Sequence, residues 1–481
     1  MQALVEKALF VVNEINRIQA AIQKSRDAWK ELDQWDVFAD VPHPSGRGTL
    51  ICGREAHLAL CDIVRAYGCN KYKNQNVDIS TIIKPFKKEF SKRFLSGELE
   101  LNERYLSRVL HRVFQKAVDE LVATTHFFPC RLYIPKDSDS IHIGPVQFKP
   151  ASQFWKEYRN NRDSSIEQNV QDVLGNWKKL SDEGYPNVSN SYEDALQLIE
   201  SLEKDVLEGL EAAEWIASSE VAPSSPNISR QIAQDNVETA IAIMKLAFGA
   251  DFSQMFEVGT PPSGLTTPKL TMIDGKYEYA MSKQWNNRSE PKNFREVIHS
   301  NQVQFLFGQV ACLLKAKSNH DQLDDLSVKL IYSLNKFSEA VRGISPEYSV
   351  LNYVIATETM LLPKKRDDND ITKTYAYRAA ALAAEKDDDF SDLYTLFMKA
   401  YAARSAIAHG NIEASSIVRE IPIHKLGLAS AFVIYRMIEW LQDPSLPCQP
   451  GTVDDLEKTL SYILTQPPVC DLVENVQEKG V

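Results

Sequence analysis

Tyr401-Ala402-Ala403-Arg404-Ser405-Ala406-Ile407-Ala408-His409-Gly410 closes one of the most regular apolar periods of this chain. Upstream, Leu393, Leu396, Ala400, Ala403 and Ile407 recur at spacings of three and four, which predicts a helix over 390–409 ending at Gly410. At about 100° per residue, that stripe lies about 60° to one side of Arg404, and His409 lies about 140° to the other. A histidine nearly opposite its helix's own stripe is not expected to be an ordinary core residue. Beside it fall Met398, Ala402, Ser405 and Ala406, a second face of mostly small residues. A helix apolar on two sides is expected to be buried on two sides. The second face therefore predicts a partner subunit, with Arg404 and His409 at the seam.

The two polar residues suggest chemistry. Arginine is a permanent cation whose planar fork grips phosphate, and histidine exchanges protons near neutrality. Together they form a minimal kit for moving a phosphodiester without a metal or cofactor. A plainer reading stands beside it. His409-Gly410 is also a good helix end, glycine taking the left-handed position and the histidine facing the negative end of the dipole, and Arg404 could simply pair with a carboxylate.

Helical periodicity runs through the rest of the chain, so the expected fold class is a mainly α, multi-domain protein with one or two short β-hairpins. Helices are predicted near 2–35, 54–67, 79–95, 102–124, 151–160, 191–218, 228–249, 296–317, 322–342, 347–362, 371–385, 390–409, 423–442 and 452–465. Asp370 and Asp389 are candidate N-caps, and Pro346 is a natural early helix position. The pairs Asp367-Asp368 and Asp387-Asp388 suggest solvated loops. Alternation in Phe127–Ile134 and Ile141–Phe148, with a polar turn at Lys136–Ser140, predicts a hairpin. A second is expected from Leu270 to Tyr279 around Asp274-Gly275. Ser218–Ser229 and Gly259–Thr267 suggest linkers. The domain reading is a helical N-terminal region over 1–150 ending in the hairpin, a helical middle over 151–295, a C-terminal domain over 296–465 and a tail over 466–481.

Composition bounds the function. The 481 residues are 44% apolar, enough for sizeable cores, and the formal charge is −11. That balance is wrong for a protein coating nucleic acid non-specifically, though a local basic cleft remains compatible. Seven scattered cysteines fit a reducing cytoplasm. The N-terminus carries Glu6, Lys7 and Glu14, unlike a signal peptide, and no apolar run is long enough to span a bilayer. A cytoplasmic protein without a membrane association is expected.

The segment Tyr401–Gly410, with Asn411 after it, resembles the Arg-x4–6-His signature of HEPN domains, in particular the Apea-like branch. Tyr348–Leu362 is similar to that family's helix with an inward glutamate, which places Glu358 in that role, and Asp370–Ala384, with Tyr375, Arg378 and Ala379-Ala380-Ala381-Leu382, resembles the next helix. The likeness covers about residues 300–465. An Ile-Gly-Pro-Val hairpin at 143–146 is a further likeness upstream.

The resemblance implies a helical bundle that dimerises or forms a higher homo-oligomer, and a metal-independent endoribonuclease acting on tRNA or mRNA. On that view His409 is the general acid and base, and Arg404 holds the scissile phosphate. Ser405, Glu358, Asn411 and Tyr401 support them. Lys364-Lys365-Arg366 would steer RNA. Many such proteins are toxins or phage-defence effectors, so the N-terminal two-thirds would sense a phage or cellular trigger. Asn411 departs from members that carry a tyrosine there for control by an antitoxin. The alternative is a non-catalytic HEPN-like module that binds RNA, dimerises or serves as a scaffold.

Three other constellations remain. Cys52, His57, Cys61 and Cys69 cluster within eighteen residues, but no paired Cys-x2-Cys is present, so a reduced, buried set is favoured over zinc. Lys84–Phe94 interleaves cations with Phe86, Phe90 and Phe94, either an RNA-binding face or a core stripe beneath a solvated one. His43-Pro44-Ser45-Gly46-Arg47-Gly48 lacks the Lys-Ser/Thr of a phosphate loop.

Overall fold

In the computed structural model of this chain, residues 1–463 are described apart from 25–36, 73–75, 133, 136–137, 183–188, 190, 212, 255, 260–265, 274–275, 284–293, 363–370, 385–386, 412–413 and 442–451. The first part of the chain runs α1 (Gln2–Lys24), β1 (Val37–Pro42), β2 (Thr49–Gly53), α2 (Arg54–Lys71), α3 (Ile79–Phe90), a π turn at Ser91–Leu95 and α4 (Glu103–Asp119). It continues through β3 (Thr124–Arg131), β4 (Ile141–Ile143), β5 (Val146–Pro150), α5 (Ala151–Asp182), α6 (Tyr192–Glu211), β6 (Trp215–Val221) and α7 (Pro226–Phe248). Then come α8 (Ala250–Ser253), β7 (Glu257–Val258), β8 (Thr266–Ile273), β9 (Lys276–Lys283) and α9 (Phe294–Ile298). The last part holds α10 (Asn301–Ser318), α11 (Asp325–Arg342), α12 (Pro346–Leu361), α13 (Ile371–Ala383), α14 (Asp387–Ala408), α15 (Ala414–Arg419), α16 (Ile423–Leu441) and α17 (Val453–Ile463). The protein is mainly α with a few short hairpins.

The chain divides into two compact units. Unit 1 comprises Met1–Thr124, Lys156–Leu207 and Val221–Ile232; unit 2 comprises Thr125–Trp155, Glu208–Glu220 and Ala233–Val481. This division does not fall at the boundaries near 150 and 295 read from the sequence, because the chain crosses between units several times.

Unit 1 is built on α1 to α4 with the β1–β2 hairpin, which the sequence reading did not anticipate. His43–Gly48 is its turn, closed by the His43 N–H donating to the Gly48 carbonyl at 3.0 Å. Phe86, Phe90 and Phe94 are buried in its core, ring against ring at 5.6 and 5.3 Å, so the phenylalanine stripe is packing. Lys87 is buried too, its Nζ 2.9 Å from His57 Nδ1, while Lys84, Lys88 and Lys92 stay exposed. Of the cysteine cluster, Cys52 is buried, Cys61 half-buried beside His57 and Cys69 exposed, so the expectation of a wholly buried set holds only for Cys52. Helix α5 runs on to Asp182, well past the predicted 160, with a largely exposed polar surface that offers little apolar period to read. Within unit 1 its Arg162 makes a two-pronged contact to Glu203 of α6, both arms at 2.7 Å.

Unit 2 contains a five-stranded sheet of order β4-β5-β6-β3-β7. Phe127–Ile134 and Ile141–Phe148 do not pair with each other: β5 and β6 lie between β3 and β4, and the hairpin is β4–β5, turning at Gly144-Pro145. The helix expected over 191–218 stops at Glu211, and Trp215–Val221 is the strand β6 paired with β5. Of Ser218–Ser229, read as a linker, only Ala222–Ser225 connects elements; the rest is the end of β6 and the start of α7. At the β4–β5 turn Gly144 has φ +60°, and a Cβ there would lie 2.6 Å from the Ala311 carbonyl oxygen on α10. The predicted hairpin at Leu270–Tyr279 is present as β8–β9, which pair from Thr266↔Lys283 to Ile273↔Lys276.

The rest of unit 2 is a helical bundle centred on α12. Ser345 caps this helix, its hydroxyl accepting from the Tyr348 N–H at 3.1 Å, with Pro346 in the first turn as predicted. Its buried residues, from Ser349 to Leu361, face in several directions, as expected of a helix packed by α11, α13, α14, α15 and α16. Asp387 and Asp388 begin α14 rather than forming a loop, so Asp389 lies inside its first turn and is not the cap. The Asp370 cap, the Asp367-Asp368 loop and the tail fall outside the described residues. Arg378 is buried and holds the bundle together, donating to the Leu361 carbonyl at 2.7 Å and gripping Glu457 through both terminal nitrogens.

Candidate functional site

Helix α14 carries the candidate pair. Its buried residues include Leu396, Ala400 and Ala403, as the stripe predicts, but also Phe390, Phe397 and Tyr401. Leu393 and Ile407 are only half-buried. The core arc is therefore shifted: it straddles Arg404 instead of lying to one side, because Phe397 sits within about 20° of Arg404 on a helical projection. Arg404 is a charged residue on a core-facing arc.

That placement costs desolvation unless the charge is answered. Arg404 Nη2 lies 3.1 Å from Glu358 Oε2 of α12, with 30% of the arginine side chain and 19% of the glutamate side chain exposed. The other carboxylate oxygen of Glu358 accepts a hydrogen bond from the Tyr401 hydroxyl at 3.0 Å. The guanidinium also stands 5.7 Å from the Tyr401 ring centroid. Tyr401 packs on Tyr375 of α13, centroids 4.9 Å apart, and the Tyr375 hydroxyl is 2.7 Å from Thr357 Oγ1. Burial, together with the charge and hydrogen bond of Glu358, pushes the Tyr401 phenol up to about 12. Burial pushes the Tyr375 phenol up as well. Both are neutral donors at physiological pH. Arg404 Nε is buried and lacks a hydrogen-bond partner among the described residues.

His409 stands apart from this network. Helix α14 ends at Ala408, and His409 is its exposed cap. The Gly410 N–H donates to the Ile407 carbonyl at 3.0 Å and the Asn411 N–H to the Ala406 carbonyl at 2.9 Å, with Gly410 at φ +66°. These two bonds make a Schellman end, the plainer of the two sequence readings, and it leaves the imidazole free to face solvent. Among the described residues no hydrogen bond or ion pair joins His409 to Arg404. Ser405 is half-buried and its carbonyl accepts the His409 N–H at 3.1 Å; Asn411 is exposed. The second face is open: Ala402 and His409 are exposed, Met398, Ser405 and Ala406 half-buried.

The structure thus brings Arg404, Tyr401 and Glu358 together and leaves His409, Ser405 and Asn411 along the same helix end. Lys364, Lys365 and Arg366 lie outside the described residues. Thr357 and Tyr375 were not assigned a role from sequence. The available signal was a threonine next to the inward glutamate and a lone tyrosine heading an alanine-rich helix. Among the described residues no group of three metal-ligating side chains is gathered, and no helix is long and apolar enough to cross a membrane. No protein-family model, curated protein or solved structure matches this chain. The chemistry of the side chains has to carry the functional reading.

Proposed function

We propose that the helical bundle of unit 2 is a HEPN-type endoribonuclease that works without a metal, as a homodimer with Arg404 and His409 from two chains at one cleft. The observation that carries this is the contrast within one helix end: a cation held rigidly by Glu358 and Tyr401, and an exposed imidazole about 140° around the helix. A fixed guanidinium suits a phosphate whose charge grows during reaction. An exposed imidazole suits proton transfer. The open face of small residues between them suits the approach of a second copy.

In the reaction, His409 takes the proton from a ribose 2′-hydroxyl, and the 2′-oxygen attacks the adjacent phosphorus. The new P–O2′ bond displaces the 5′-oxygen, which receives a proton from an imidazolium, His409 of the second copy. Products are a 2′,3′-cyclic phosphate and a 5′-hydroxyl, with atoms and protons balanced. Arg404 neutralises the phosphorane oxygens. Glu358 and Tyr401 position Arg404. The remaining parts of the chain would restrain the nuclease until a phage or cellular trigger releases it, with tRNA or mRNA as the substrate class.

A second reading, a non-catalytic RNA-binding or dimerisation module, draws on the Schellman end and the Glu358 pair, which give His409 and Arg404 structural duties. The discriminating experiment is cleavage of a tRNA pool with EDTA present, comparing wild type with Arg404→Ala and His409→Ala, alongside toxicity on overexpression. Cuts that persist in EDTA and vanish in both variants are expected. Cuts or toxicity unaffected by either substitution overturn the nuclease and favour the module.

A further inference from the structure

Unit 1 carries a strong local departure from the acidity of the chain. Residues 79–119 hold nine lysines and arginines against five carboxylates, in a protein of net charge −11. The apolar side of α4 (Leu106, Leu110, Val113 and Phe114) is buried in the core of unit 1, and its opposite side presents Arg104, Arg108 and Arg112, all exposed. These arginines recur every fourth residue, so they rise about 6 Å apart along one edge of the helix. Like charges at this spacing repel and weaken an isolated helix. Among the described residues none of the three is in an ion pair, whereas Lys116, a turn later, faces Glu120 at 3.7 Å.

The ladder borders a cavity. Arg93, Leu99, Tyr105, Arg108, Val109 and Arg112 line a hollow of about 190 Å³ where the π turn after α3 meets α4. Arg93 is engaged by Glu89 and Glu98, so its charge is answered. Arg108 and Arg112 leave theirs open to the hollow. Arg108 lies over the Tyr105 ring, 5.7 Å from its centroid, which spreads a guanidinium plane beside a half-buried aromatic.

We propose that this face binds the backbone of single-stranded nucleic acid, Arg108 and Arg112 taking successive phosphates and the Arg108–Tyr105 pair receiving a base. Unpaired arginines at one per turn match a polyanion that repeats along its length. A planar cation on an aromatic ring is a stacking surface that any base fits. This inference does not depend on cleavage at Arg404 and His409.

The test is fluorescence polarisation of the full-length chain with a labelled single-stranded RNA, in EDTA, over a range of salt. Arg108→Glu with Arg112→Glu should weaken binding at least about tenfold and lower the slope of log affinity against log salt by about 1.4, two phosphate contacts at about 0.7 each. Arg108→Lys with Arg112→Lys should retain most of the affinity and the slope. Tyr105→Leu, which keeps the apolar packing, should weaken binding about fivefold or more with the slope unchanged. An unchanged thermal midpoint shows that the charge-reversed variant is folded; if it is not, the lysine and leucine variants decide. The proposal is overturned if charge reversal in a folded protein leaves affinity unchanged. Complete competition by equimolar pyrophosphate overturns it in favour of a small-anion site. Binding to anionic vesicles in place of RNA overturns it in favour of a membrane surface. Loss of binding in Arg404→Ala instead of the α4 variants assigns the RNA contact to the bundle, and also overturns it.

Discussion

A half-buried guanidinium must be answered, and Glu358 answers Arg404 with one oxygen while holding Tyr401 with the other. The arrangement makes Tyr401 a locked donor. Its phenol titrates near 12 in the folded protein against 10.0 when free. The raised value means that the folded state holds this proton more tightly, so the stability it brings is complete below pH 10 and is lost as pH rises through 12. Denaturant midpoints should fall across that window in wild type and fall less in Tyr401→Phe; identical profiles would show that Tyr401 is not protected by the network. The arginine was legible in the sequence as a candidate, but the stripe at 393, 396, 400, 403 and 407 put it beside the core. Phe397 and Tyr401 moved the core under it, and only their packing against neighbours such as Tyr375 shows that.

Elements depend on their ends and on where other backbones approach. Gly410 and Gly144 both have positive φ, yet they differ in surroundings: a Cβ at Gly410 meets open space, and one at Gly144 meets the backbone of α10. Gly410→Ala should therefore cost only the left-handed strain, about 1–2 kcal/mol. Gly144→Ala adds overpacking and should cost about 2–4 kcal/mol in all. Thermal unfolding of the two variants checks the order, and a smaller loss at Gly144 would contradict the close approach of β4 to α10. Caps and apolar periods made the bundle helices readable; Ser345 with Pro346 announces α12 from the sequence alone. Strand β6 escapes a local reading because Trp-Ile-Ala-Ser-Ser-Glu-Val follows a long helix with only Gly209 as a stop signal near its end, and its pairing partner, β5, lies some 70 residues away.

At the scale of the molecule, one buried charge sets an opposing pH dependence. Lys245 is 2% exposed, with its Nζ donating to the Ser338 carbonyl at 3.0 Å. Burial lowers its pKa from 10.5 to about 8, with Glu257 opposing and Arg342 adding to the fall. The unfolded chain then binds more protons between pH 8 and 10.5, so this group makes stability rise with pH across that window. Tyr401 acts in the other direction above pH 10, and thermal midpoints should pass through an alkaline maximum. Lys245→Met should abolish the rise and leave the protein no less stable at pH 7; a steep rise that survives the substitution would refute the assignment.

Apolar period, caps and turn residues are local, so the mainly helical class, the positions of most helices in the bundle, the β8–β9 hairpin and the helix end at His409-Gly410 can be read from the chain without its fold. Tertiary contacts set which segments of the chain share a unit, the order of the five-stranded sheet, the burial of the phenylalanine stripe and the clasp of Glu358 on Arg404 and Tyr401. Those depend on contacts between residues far apart in the chain, and no local pattern encodes which distant face will cover which.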